Sequence, residues 1–274
     1  MEIPSFNALI QQSIIDHWDM DALTDYKGAT LQYHDVARKI EKLHIMFENS
    51  GVVKGDKIAL CGRNSANWAV AFLATLTYGA IAVPILHEFM PEQIHNIVNH
   101  SDAKLLFVGD VVATQVDATK MPGLEGIIYI PDYSLVVSRT DKLTYAREHL
   151  NEMFGIKYPK YFRKNHVNYY MEQNPDELAM INYTSGTTGD SKGVMLTYSQ
   201  YAAALKANNE CVPVTDKDRV IDFLPFTHIF ERAWSYLCLS EGAQLIINTY
   251  PQEIQESMRE MRPTCMCSVP RFWE

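Results

Sequence analysis

Between Tyr183 and Val194, the run YTSGTTGDSKGV gathers three threonines, two serines, three glycines and one lysine within twelve residues. Glycines let a backbone bend sharply and bring its N–H groups close to an anion. The hydroxyls of Thr184, Ser185, Thr187 and Thr188 add donors, and Lys192 adds a full positive charge. That is the chemistry of a phosphate cradle, and hence of a nucleotide. A Gly/Ser/Thr run is in general only a flexible loop, but this one sits between a strand-like and a helix-like segment. The Walker spacing G-x-x-x-x-G-K-[ST] is not met, because Ser191 precedes Lys192 and Gly193 follows it. No G-x-G-x-x-G stands here either, which argues against a nicotinamide or flavin site.

A second chemical candidate lies downstream, in IDFLPFTHIFERAWSYLCLSEGAQLIIN from Ile221 to Asn248. It reads as a strand into Leu224-Pro225, then His228, a helix from Ile229 to Leu239, Gly242 and another strand. A lone histidine is more often structural than catalytic. Glu231 and Arg232 read either as a local charge pair or as an anchoring contact. Cys265 and Cys267 would share one face of a strand, but no further ligand completes a metal set, so buried thiols are the reading.

The elements that must carry these residues follow from periodicity. Val36, Ile40, Leu43 and Phe47 mark an amphipathic helix from Tyr33 to Ser50, with Gly51 as its C-terminal cap. Lys57–Cys61 is a strand, Asn64 or Ser65 caps a helix through Trp68, Phe72, Leu73 and Leu76, Gly79 ends it, and Ala80–Leu86 is the next strand. A helix over Glu92–Val98, strands over Lys104–Val108 and Ile127–Ile130, and a helix over Leu143–Phe154 come next. Leu178–Tyr183 is the strand that delivers the phosphate loop, and Thr197–Asn208 is helical. Such alternation predicts an α/β fold of largely parallel sheets flanked by helices.

Composition sets the bounds. The chain has 274 residues, is 47% hydrophobic and carries a formal net charge of -9, enough apolar content for a large core and too acidic for a general affinity for nucleic acid. Lys157–Tyr170 mixes four basic with five aromatic side chains, a pattern that grips single strands or membranes in some proteins; in a chain this acidic it reads as a connecting segment docked on the core. Five scattered cysteines and the start MEIPSFNALI, with no signal peptide, fit a cytoplasmic protein, with peripheral contact at the inner membrane face left open.

Residues 184–193 resemble the signature loop of the adenylate-forming superfamily, which includes acyl-CoA synthetases, luciferases and the adenylation domains of peptide synthetases. The usual form, [ST]-S-G-[ST]-T-G-x-P-K-G, is matched except at Ser191, where proline is common; the change loosens the backbone without removing a donor. Leu224-Pro225 through His228 resembles the LP-x-x-H motif, and the HIFER string is similar to long-chain fatty-acid–CoA ligases. Gly51–Leu60, Gly62–Ile85 and the closing SVPRFWE are similar to the N-terminal part of the same enzymes.

The resemblance implies that Thr184, Ser185, Gly186, Thr187, Thr188, Gly189, Lys192 and Gly193 hold the phosphates of ATP with Mg²⁺. It implies that His228 lies by the acyl carboxylate as the catalytic histidine, and, more loosely, that Phe230 or Trp234 lines an acyl tunnel. A fatty acid would attack ATP to form an acyl-adenylate, from which CoA displaces AMP. It further implies that 1–274 is an incomplete N-terminal domain, divided as 1–50, 51–211 and 212–274, without the C-terminal catalytic domain and inactive alone. An amino-acid or aryl-acid adenylating enzyme, and a nucleotide- or pyrophosphate-binding module without turnover, are the alternatives.

Overall fold

A computed structural model of the chain describes residues 4–184 and 191–274. In chain order the elements are α1 (Phe6–Asp16), β1 (Asp21–Asp25), β2 (Thr30–Gln32), α2 (Tyr33–Asn49), β3 (Lys57–Cys61), α3 (Ala66–Tyr78), β4 (Ile81–Ile85), α4 (Pro91–Ser101), β5 (Leu105–Val108), the one-turn α5 (Asp110–Ala113), β6 (Gly126–Tyr129) and β7 (Leu135–Ser138). There follow α6 (Asp141–Glu148), α7 (Leu150–Lys157), β8 (Leu178–Thr184), β9 (Lys192–Thr197), α8 (Tyr198–Cys211), β10 (Arg219–Asp222), α9 (Ile229–Ser240), β11 (Gln244–Ile247), α10 (Ile254–Met261) and β12 (Cys265–Met266).

The strands form two sheets, one in the order β7-β6-β5-β3-β4-β8-β9 and the other β12-β10-β11-β1-β2. Their interiors are parallel, whereas β7, β9 and β2 pair antiparallel at the edges. Alternation along each strand sets the layers. Ile58, Leu60, Leu105, Phe107 and Ile128 face one side of the larger sheet; Ala59, Cys61, Leu106, Val108 and Ile127 face the other, under Ile94, Ile97 and Val98 of α4.

Helix α3 explains how the two sheets join. Its sequence is apolar on every side, which suits a helix buried on every side, and it lies between β1 of one sheet and β3 and β4 of the other. Ser65 caps it by accepting the Trp68 N–H, and Gly79 ends it at a φ of 89°, with the Tyr170 ring packed where a Cβ would stand. Trp68 stacks on Phe72 at 5.6 Å between centroids and Phe72 on Tyr236 of α9 at 4.9 Å. Each such ring removes on the order of 2–3 kcal/mol worth of apolar surface from water.

Four features depart from the periodicity reading. The phosphate-loop segment lies between two strands, not between a strand and a helix, because Lys192–Thr197 pairs with β8. Leu143–Phe154 breaks at His149 into α6 and α7. The segment 1–50 is not separate from 212–274, since β1 and β2 complete the sheet of β10, β11 and β12. Cys265 and Cys267 are only partly buried, and β12 ends before Cys267. The basic and aromatic run after Lys157 docks on the core through Phe162, Val167 and Tyr169, with Lys157 and Tyr158 both bonded to Glu41. Among the described residues no helix is long and apolar enough to cross a membrane.

Candidate functional site

The hairpin of β8 and β9 pairs Thr184 with Lys192 and Tyr183 with Gly193, so the two ends of the phosphate-loop run stand side by side. Thr184 and Lys192 are exposed. Ser185, Gly186, Thr187, Thr188 and Gly189 lie outside the described residues. At Gly193 a Cβ would meet Ile181 Cγ2 at 2.8 Å and the Tyr183 ring at 3.1 Å, so glycine is what allows the β8 side chains to lean across β9. The Tyr183 hydroxyl and His100 Nδ1 share a hydrogen bond of 2.8 Å, tying the hairpin to α4.

The hairpin is bound to the second motif from below. Arg232 on α9 is fully buried, donates to the Asn182 side chain two residues before Thr184, and donates to the Phe226 carbonyl at 2.8 Å, two residues before His228. Its guanidinium lies 5.6 Å from the Phe72 ring, and Tyr201 donates to its carbonyl. Asn64 grips the same segment from the other side. Its amide donates to the Leu224 carbonyl at 2.7 Å and its oxygen accepts the Phe226 N–H at 2.8 Å. His228 is the exposed N-terminal flank of α9, its backbone N–H held by the Pro225 carbonyl at 2.9 Å.

Glu231 and Arg232 do not pair with each other. Adjacent positions on a helix diverge, and each finds a separate buried partner. Glu231 and Asp222 are both fully buried and form a carboxyl pair, with Ser235 donating to Asp222 at 3.1 Å. Burial and the Asp222 charge push Glu231 well up, so it keeps its proton and donates it to Asp222; burial lifts Asp222 to about 7. The same pair, after burial, pushes the Cys267 thiol up to about 12.

Two concavities adjoin this assembly. A cleft of about 550 Å³ opens at the carboxyl ends of β3, β4, β10 and β11, where Arg63, His87, Phe223 and Thr249 line it with Tyr250 and Arg271. Ligand clefts of open α/β sheets lie at such strand ends. Burial, with Arg63 nearby, lowers the His87 pKa and keeps the ring neutral. A smaller groove of about 260 Å³ is lined by Asn208, Val212, Phe230, Trp234, Met266 and Cys267. It is apolar apart from Asn208. Sequence reasoning missed Asn64 as a clamp, reading it as an alternative helix cap; it also missed Asn182, Asp222 and the cleft cations. Their partners are distant in the chain, so no local spacing marks them.

Paired α/β sheets with a Gly/Ser/Thr-rich hairpin and an LP-x-x-H segment at their strand ends are the framework of an adenylate-forming enzyme. The family model described as AMP-binding enzyme matches residues 11–274, and the chain belongs to that family. It is 28% identical over 250 residues to long chain acyl-CoA synthetase 3 of Arabidopsis thaliana, a match covering 88% of this chain and 37% of that protein. It is 27% identical over 267 residues to long-chain-fatty-acid–CoA ligase 1 of Schizosaccharomyces pombe, covering 94% and 38%. The chain thus spans well under half the length of these curated relatives. The inhibitor-bound N-terminal domain of FACL13 from Mycobacterium tuberculosis superposes with a TM-score of 0.76 at 20% identity, over 98% of this chain and 66% of that one, a likeness of fold.

Proposed function

We propose that the protein carrying this chain is an AMP-forming long-chain fatty-acid–CoA ligase, using ATP to make an acyl-adenylate and CoA to release the acyl group as a thioester. The observation that carries the reading is the Arg232 bridge, which holds the strand entering the phosphate-loop run and the segment leading to His228 in one rigid unit. The names of the relatives support the same substrate class.

The first step brings two anions together, a carboxylate and a triphosphate, so the chain must neutralise and position oxygen atoms. Lys192 is an electrostatic clamp on the phosphates. Thr184, Ser185, Thr187 and Thr188 donate hydroxyls, while Gly186, Gly189 and Gly193 let the backbone approach. His228, beside the N-terminus of α9, meets the acyl carboxylate where the helix dipole also favours negative charge. The alkyl chain lies in the groove of Phe230 and Trp234, whose lining carries no charge to pair with an amino acid's ammonium group. Mg²⁺, when bound, would supply further neutralisation of the phosphates. Among the described residues no three His, Cys, Asp or Glu side chains come together to hold it. Of the division 1–50, 51–211 and 212–274, the part 51–211 holds the larger sheet, while 1–50 adds β1 and β2 to the sheet of 212–274; the catalytic remainder would lie in a C-terminal domain.

Calorimetric titration with Mg-ATP tests the clamp. Lys192→Ala should weaken triphosphate binding by about 1.5 to 3 kcal/mol, the scale of a charge-assisted hydrogen bond. Unchanged affinity removes Lys192 from the site. For the substrate, the full-length enzyme should release AMP with a long-chain fatty acid and CoA, and not with an amino acid or aryl acid; the reverse preference overturns the ligase reading.

A further inference from the structure

Helix α2 carries Arg38, Lys39 and Lys42 at spacings that put them on one side, facing Arg147 of α6. Between them is a concavity of about 320 Å³ with an apolar floor that includes Leu43, Leu150 and Tyr133. It shares no lining residue with the cleft or the acyl groove. Among the described residues the lysines paired with acids are Lys27, Lys104, Lys120 and Lys157, none of which lines this concavity. Among the described residues no carboxylate oxygen lies within 4.0 Å of Arg38, Lys39, Lys42 or Arg147.

The two acids on the rim are already engaged. Asp35 accepts the Gln32 N–H at 2.9 Å, and Asp132 accepts the Ser134 N–H and hydroxyl at 2.9 and 2.6 Å. The cations are held in place without being neutralised. Arg147 donates its Nε to the Tyr133 carbonyl at 2.6 Å and a terminal nitrogen to the Asp132 carbonyl at 3.3 Å, and Lys42 reaches Asn151 Oδ1 at 2.9 Å. Burial and then repulsion from Arg38, Lys39 and Arg147 depress the Lys42 ammonium.

We propose that this concavity is an anion site that takes a phosphate monoester, gripped by Lys39, Lys42 and Arg147 with Arg38 at its mouth. Four cations against two carboxylates leave a surplus of two positive charges, which matches a phosphate dianion. An arginine fork and mobile ammonium groups suit its tetrahedral oxygens, and the apolar floor accepts the carbon skeleton attached to it. The phosphate belongs either to a soluble phosphorylated metabolite or to the headgroup of an anionic phospholipid. The second source is included because α6 and α7 also expose Tyr145 and Ile156, at 57% and 73%, on the neighbouring surface.

The test separates this site from the hairpin by working in a Lys192→Ala background, so the outcome does not depend on the ligase reading. Thermal unfolding is followed with inorganic phosphate and glycerol phosphate, and flotation with phosphatidylcholine vesicles with and without phosphatidic acid. Soluble phosphates raising Tm assign a metabolite site, and flotation only with phosphatidic acid assigns a headgroup site. In either case Lys39→Gln/Lys42→Gln should weaken binding about tenfold or more, while itself unfolding at the same or a higher temperature because repulsion is relieved. Absence of both responses, or equal responses in the double variant, overturns the proposal.

Discussion

The carboxyl pair of Asp222 and Glu231 shows how a single residue pair ties stability to pH. Unfolded, these groups titrate near their ordinary values of 3.8 and 4.5; folded, Asp222 titrates at about 7 and burial beside Asp222 holds Glu231 well above its ordinary value. Between those limits the folded chain binds more protons than the unfolded one. Their contribution to stability is therefore greatest in acid and falls as pH rises from about 4 through about 7. Urea midpoints at about pH 5 and about pH 8 should differ in that direction, and Glu231→Gln should shrink the difference because an amide donates to Asp222 without titrating. An undiminished difference in the variant would place the pH dependence elsewhere. Glu231 was legible in the sequence as a charge beside Arg232. Its real partner, Asp222, closes β10 and meets it only once α9 folds back over that strand.

Among the elements, α9 is the one that couples the hairpin to the LPFTH segment, and it does so through a fully buried guanidinium with no carboxylate within 4.0 Å among the described residues. Replacing Arg232 with Met keeps the length and apolar stem but strands the Asn182 oxygen and the Phe226 carbonyl. Loss of about 2–4 kcal/mol in unfolding free energy is expected, one to two unsatisfied buried acceptors' worth. The variant that remains folded should also bind ATP more weakly, since the strand entering the loop loses its anchor. Full stability in Arg232→Met would mean that water or repacking satisfies both acceptors. The boundaries of α2, α3 and β3 were readable from period, cap and glycine because those signals are local. β9 was not, since Lys192–Thr197 owes its strand to β8 across the loop and its exposed Val194 and Met195 carry no alternating pattern.

For the whole molecule, Asn64 is the stitch between the sheets: it stands on the loop after β3 of the larger sheet and binds the loop after β10 of the smaller. Asn64→Ala leaves the Leu224 carbonyl and the Phe226 N–H without those partners. It should lower unfolding free energy by about 2–3 kcal/mol and loosen the cleft, read as faster amide exchange at residues 224–228. Unaltered exchange there would show that packing of Phe226 against Trp68, at 5.5 Å, suffices to hold the segment. The sequence by itself determined the α/β class, the caps of α3 at Ser65 and Gly79 and the adenylate-forming family, because periodicity, capping and motif spacing are properties of neighbouring positions. Only the tertiary structure decided that β1 and β2 close the second sheet, that Asn64, Asn182 and Arg232 bind the two motifs together, and that α2 and α6 enclose an unneutralised basic concavity. Each of these joins residues far apart in the chain, and such contacts exist only after the sheets have packed on the helices between them.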